Sequence, residues 1–517
     1  MCCTGCSRWS WWSTGCWSRP DSPSPDGSSP DCWSIPCCTA SIRWAAGRLW
    51  TGIHIRSLIR ATRAMCRWPS VSSSSSSDSP CSRSRSWRSD SSAGAGAVRP
   101  TTMFCGKGGV MTSLWHGFAD MGAVERDGAF VVARGDGAYV YDAAGTRYLD
   151  ATAGLWFTNV GHGRGEIADA VAAQLRQVAH YSNFGDLTSP VTQALAERLS
   201  AIAPVPGSKI FFTSGGSDSV DTAAKLARRY WHELGRPDKS IVVGRRLAYH
   251  GMHVAGTALA GIPVNREGYG ELMADARTVE WDDPKALLAL IEELGAERIA
   301  AFFCEPVIGA GGILLPPEGY LTEVRRICWD NDILFVADEV VTGFGRIGGS
   351  WFASSRFGLE PDLMTTAKGL TSGYVPMGAV FVAPRIAEPF FAGGVWWRHG
   401  YTYGGHAGAA AAAMANLDII EREGLLEEAK RLESTLHDRL APLAEHPRVA
   451  EIRSGIGAVA AVQLADPSEG LPLVKTLRQH GVSGRAAGQG AMQISPSFVM
   501  TDEQVGELAD AFARALG

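Results

Sequence analysis

Five short apolar runs that recur between helical patterns constrain the fold of this chain more than any other feature. They are KIFFTS (209–214), SIVVGR (240–245), IAAFFCEP (299–306), ILFVADE (333–339) and GAVFVAP (378–384). Runs of this length bounded by turn signals read as buried strands, and their spacing suits crossover helices. DTAAKLARRYWHEL and PKALLALIEELG carry the helical period that such crossovers need. The region from about 165 to 400 therefore reads as α/β with a largely parallel sheet. Residues that handle a ligand should gather at the strands' carboxyl ends.

The flanks read differently. GDGAYVYDAAGTRYLDATAG, ahead of the α/β region, carries hairpin-turn signals. Behind it, GAAAAAMANLDIIEREGLLEEAKRLESTLHDRLAPL reads as one alanine-rich helix leading into strands and a last helix near 501–516. These two ends, 111–165 and 421–517, are expected to form a second, smaller α+β domain beside a large domain at 166–420. No internal repeat is visible.

Composition enters because the chain breaks sharply near residue 110. Residues 1–110 hold ten of the twelve cysteines, nine of the seventeen tryptophans, a serine run at 72–77 and no glutamate. They carry thirteen Lys and Arg against five Asp and Glu, a net of +8, which leaves −13 on the other 407 residues. No CxxC pair there is followed by a matched CxxC or HxxxH, which argues against a zinc site. A transit peptide fits the Arg/Ser content but not the tryptophans and cysteines. The segment is expected to be a disordered, functionless extension such as out-of-frame translation would give, with Met111 or Met103 as the true start. After residue 110 only Cys304 and Cys328 remain, which fits a reducing compartment. No apolar run approaches a membrane span, so a cytoplasmic location is expected. The acidic balance argues against nucleic acid as a partner.

Two residues carry the chemistry. Asp338 ends one apolar run, and Lys368 follows another in DLMTTAKGL, thirty residues on. A lysine at a strand end can form an imine with an aldehyde cofactor, and a buried aspartate can hold a proton on a heteroaromatic nitrogen. A lone lysine is ordinarily a solvated surface charge, so the context decides. Together the two suggest pyridoxal 5'-phosphate (PLP) chemistry, with no metal.

That context, LFVADEVVTGFGR followed by PDLMTTAKGLTSGYVPMGA, resembles the class III aminotransferases, most closely their ω-amino acid or amine:pyruvate branch. The resemblance runs from about residue 115 to the C-terminus. It implies the type I fold of PLP-dependent transferases, with a mostly parallel seven-stranded sheet. It makes Lys368 the Schiff-base lysine and proton shuttle, Asp338 the partner of the pyridine nitrogen, and Val340 a residue facing the ring. Gly216 and Ser217 match the phosphate cup, although Gly215 stands where a serine is common. Tyr249 matches the aromatic residue stacked on the ring, His250 and Gly251 complete its Tyr-His-Gly triplet, and Glu305 matches a glutamate near the cofactor.

RHGYTYGGHAGAA resembles the segment that enters the other subunit's phosphate site, which makes Thr402, beside Tyr401, a ligand supplied in trans within a homodimer. On the substrate side, Leu155 and Trp156 match the pair lining the pocket, and Arg485 matches the mobile arginine that takes an acceptor's carboxylate. The implied reaction moves an amino group from an amine or ω-amino acid to a 2-oxo acid such as pyruvate, by ping-pong through pyridoxamine phosphate. An aminomutase or a decarboxylating transaminase shares the cofactor and the fold, and is separated by whether pyruvate is needed. A PLP-binding regulator would need a DNA-binding segment, and residues 1–110 lack helix-turn-helix periodicity. The identity of the amino donor stays open.

Overall fold

The structure is a computed structural model that describes residues 113–517. The expectations for residues 1–110 lie outside the described residues. After the short helix Met121–Asp127 come three short antiparallel strands: β1 (Val132–Asp136), β2 (Tyr139–Asp142) and β3 (Arg147–Asp150). Gly137 (φ +55°) and Gly145 (φ +87°) make the turns between them, in a region that a Cβ disfavours.

Seven strands then build the central sheet. They are β4 (Lys209–Thr213), β5 (Ile241–Arg245), β6 (Ala276–Val279), β7 (Ile299–Cys304), β8 (Leu334–Asp338), β9 (Leu363–Thr366) and β10 (Gly378–Val382). Their spatial order is β4-β10-β9-β8-β7-β5-β6. β10 runs antiparallel to both its neighbours, and every other adjacent pair is parallel. Both faces are covered. Phe335 and Ala337 of β8 enter one core cluster while Leu334 and Val336 enter another, as the two-residue period of a strand requires. Each large apolar side chain so buried contributes about 1.5–3 kcal/mol. The helix Gly216–Glu233 lies on the second face through Val220, Ala223, Leu226 and Ala227, which recur at helical spacing.

β6 and β9 were not among the five sequence runs. β6 is four residues long and ARTV carries too few apolar residues to stand out, whereas β9 is the further apolar run that the sequence places ahead of Lys368. The alanine-rich segment is likewise two helices rather than the single one expected. Ala407–Arg422 stops before Gly424, whose left-handed backbone (φ +62°, ψ +31°) starts the helix Leu425–Leu440 in a new direction.

The chain closes with β11 (Val449–Ile456), β12 (Val459–Leu464), β13 (Val482–Ser483), β14 (Arg485–Ala486), β15 (Ala491–Ile494) and the helix Asp502–Leu516. Thr501 and Gln504 form a reciprocal capping box at the start of that helix. β13 pairs in parallel with β3, so a strand from near the C-terminus joins the sheet built by the first three strands. Among the described residues no helix is long and apolar enough to cross a membrane.

Candidate active site

The carboxyl ends of β4, β5, β7, β8 and β9 supply the residues singled out from sequence. Asp338 is the last residue of β8 and is 3% exposed. Its Oδ2 lies 2.7 Å from His250 Nδ1, and its Oδ1 accepts from Thr365 Oγ1 at 3.0 Å and Val340 N at 3.1 Å. A carboxylate can only accept, so Nδ1 of His250 carries the proton in this pair. His250 is itself buried, and its Nε2 has no partner. Thr365 was missed from sequence. It faces Asp338 because β8 and β9 pair in parallel with Asp338 opposite Thr365, a register the sequence does not announce.

Lys368 follows β9 by two residues and opens a short 3-10 turn, Lys368–Leu370. Its φ of +42° is left-handed, a strain of about 1–3 kcal/mol for a residue with a Cβ. Burial pulls its amine down to about 8, and the charges of Asp338 and Glu305 work against that pull. A substantial fraction of the amine is thus neutral near pH 8, and a neutral amine is nucleophilic.

Glu305, just past β7, receives Tyr249 N at 2.9 Å on one oxygen and Gly309 N at 3.0 Å on the other. Burial raises its carboxyl above the ordinary range. Tyr249 is half-buried, and desolvation raises its phenol. The Glu305 contact anchors the backbone that carries Tyr249 and His250.

The β4-to-helix turn brings Gly216 and Ser217 to the first turn of the helix Gly216–Glu233, where backbone amides lack intrahelical acceptors. A Cβ on Gly216 would meet Val340 Cγ1 at 2.8 Å, so these two positions touch. Ser217 Oγ accepts from Met252 N at 3.2 Å, and Gly251 (φ +89°) leaves no room there for a side chain. Asp218 Oδ2 accepts from Ser214 N at 3.1 Å, which ties the turn down.

The remaining residues stand further out. Thr402 is exposed, and its carbonyl lies 2.8 Å from His180 Nε2. Tyr401 OH sits 3.2 Å from the carbonyl of Asp218 in the same chain, so this segment rests on the start of the Gly216–Glu233 helix. Leu155 is 41% exposed, whereas Trp156 is buried among Val307, Ile313 and Ile347. Arg485 begins β14 and is partly exposed; desolvation lowers its guanidinium, and its charge is felt at both Tyr249 and Lys368.

The donor set suits PLP. A buried carboxylate at Asp338 matches a protonated ring nitrogen, and an amine lowered to about 8 at Lys368 matches an aldehyde. A helix N-terminus matches a phosphate. Sheet, helix N-terminus and lysine together describe a PLP-dependent enzyme of the α/β transferase type.

Comparison with known proteins agrees. The family model "Aminotransferase class-III" matches residues 121–516, and the chain belongs to that family. It is 38% identical over 420 residues to the putrescine–pyruvate aminotransferase of Pseudomonas aeruginosa, covering 76% of this chain and 91% of that protein. The β-alanine–pyruvate aminotransferase of the same organism is 36% identical over 430 residues, covering 78% and 95%. Among solved structures, a PLP-bound amine transaminase from an uncultivated Pseudomonas species matches with a TM-score of 0.75 at 37% identity, covering 79% of this chain and 99% of that one. Class III aminotransferases are PLP-dependent, and this chain is an aminotransferase.

Proposed function

We propose that this enzyme moves the amino group of an amine or ω-amino acid to a 2-oxo acid such as pyruvate, with Lys368 as its covalent anchor and proton carrier. The observation that carries the reading is the Lys368 amine, held at about 8 in one electrostatic neighbourhood with Asp338, Glu305 and Arg485. Bound PLP supplies the aldehyde and the electron-withdrawing ring. Asp338, fixed by His250 and Thr365, holds the proton on the ring nitrogen. Val340 and Tyr249 would hold the ring, and Glu305 keeps the Tyr249 backbone in place.

Gly216 and Ser217 give backbone amides to the phosphate. Thr402, exposed in this chain, would hold the phosphate of a second copy in a homodimer. With PLP bound, the Lys368 amine would be the group that moves a proton to and from the substrate carbon. Arg485 takes the acceptor's carboxylate, a task that suits a guanidinium with no hydrogen-bonded carboxylate of its own. Leu155, exposed, and Trp156, buried, together form the apolar wall for the donor. In this reading 166–420 is the large domain, 111–165 and 421–517 make the small one, and the enzyme works in the cytoplasm.

Lys368→Ala tests the assignment. The variant should lose turnover and the visible absorbance of lysine-bound cofactor, even where it retains cofactor non-covalently. Normal activity in it would overturn the reading. Dependence of amine consumption on added pyruvate separates a transaminase from a mutase.

A further inference from the structure

We infer that Asn416, on the helix Ala407–Arg422, is a positioning residue that sets the geometry of Lys368 by gripping the turn that carries it. The inference rests on the reading of Lys368 as the covalent anchor. Asn416 is fully buried, and its Nδ2 donates to the carbonyl of Gly369 at 2.9 Å and to that of Leu370 at 3.0 Å. Carbonyl oxygens accept only, so the amide must present its NH2 to this turn. Its Oδ1 is buried without a hydrogen-bond partner among the described residues. The side chain spends both its donors on the two residues after Lys368 and nothing elsewhere.

That turn needs holding. Lys368 is left-handed (φ +42°), and so is Ser372 (φ +48°), so the segment strains at both ends. A second buried amide closes on it from the opposite end of the chain. A Cβ on Gly369 would meet Asn159 Nδ2 at 2.5 Å and Phe344 Cβ at 3.0 Å. Asn159 Nδ2 donates to the Phe344 carbonyl at 3.0 Å, and its Oδ1 accepts from the buried guanidinium of Arg346. Gly369 is therefore packed on one side by Asn159 and hydrogen-bonded on the other by Asn416. Loosening Asn416 frees the two carbonyls and lets the left-handed residue before them relax, which swings the amine away from Asp338.

A merely structural role predicts loss of stability alone, so the test reads cofactor capture. Asn416→Ala removes both donors, Asn416→Ser shortens the reach, and Leu417→Ala, a core residue one position on, is the control for lost packing. Cofactor-free protein is mixed with PLP well below its unfolding temperature, and recovery of the visible band and its circular dichroism are followed. Asn416→Ala should capture cofactor about tenfold more slowly than Leu417→Ala, the loss of roughly one net hydrogen bond in the reactive geometry, and its dichroic band should be reduced. Asn416→Ser should fall between it and the wild type, and it decides the matter where Asn416→Ala does not fold. Capture and dichroism equal to the Leu417→Ala control would overturn the inference. Lys368→Ala is run alongside: a borohydride-reducible band surviving in it would mean that the Lys368 reading itself has failed.

Discussion

Gly216→Ala is the sharpest single test of how the cofactor site is built. The new Cβ would lie 2.8 Å from Val340 Cγ1, closer than real side chains approach, and 3.2 Å from Cγ2, a tight contact. The backbone does not object: Gly216 opens a helix, where alanine gains up to about 1 kcal/mol of propensity. Overpacking against a half-buried valine costs about 1–3 kcal/mol. In the cofactor-free protein Val340 can turn aside, so thermal stability should change little. Once PLP is present Val340 is confined by the ring and Gly216 by the phosphate, and the clash falls on binding. At about 1.4 kcal/mol per tenfold, the affinity for PLP should drop between about fivefold and a hundredfold. Equilibrium titration of cofactor-free protein with PLP measures it. Val340→Ala removes both methyl groups, so the double variant should bind within about threefold of Val340→Ala alone, the non-additivity of residues in contact. Wild-type affinity in Gly216→Ala, or simple addition of the two losses, would refute the reasoning.

Two other outcomes follow from charge. The Lys368 amine is lowered from its ordinary 10.5 to about 8, so between those values the folded cofactor-free protein binds fewer protons than the unfolded chain. Its stability should therefore rise with pH across that window, and the penalty is fully present below pH 8. Capture of PLP should rise with pH to a midpoint near 8, and a midpoint near 10.5 would show an ordinary lysine. Arg485→Ala should weaken the pyruvate half-reaction by about 2–4 kcal/mol and leave the half-reaction of an uncharged-tail amine nearly intact. Single-turnover rates for each half measure this, and equal losses would assign Arg485 to the fold.

The sheet was legible because most of its strands are buried on both faces: all five runs are strands, Asp338 ends one of them, and Lys368 follows the further run that is β9. β6 was hidden, since a four-residue strand with polar positions draws its stability from neighbours rather than from its own composition. The helix break at Gly424 was visible in principle as a glycine within a helical pattern, but alanine and leucine on either side masked it. Family motifs led to Lys368, Asp338 and Tyr249, which carry distinctive side-chain chemistry. Thr365, Asn159 and Asn416 act by register and burial, and each looks ordinary in one dimension. The exposures of Leu155 and Trp156 were equally hidden in one dimension: Leu155 is exposed and Trp156 is buried.

The alanine run of Ala407–Arg422 has a consequence for which parts of this enzyme can drift. Ala409, Ala410, Ala413 and Leu417 belong to the core beneath the central sheet, while Ala412, Ile419 and Ile420 belong to the core of the C-terminal segment. One thin helix is thus a shared partition between two hydrophobic compartments. Methyl groups leave almost no slack in such a wall, so a bulkier residue at Ala410, Ala412 or Ala413 presses on one compartment and, through the backbone, on the other. Most core positions can trade volume with a neighbour across the same interior, but these cannot, because each neighbour already answers to a different interior. Sequence change in this protein should therefore be tolerated as paired repacking within either compartment and rejected at the partition between them.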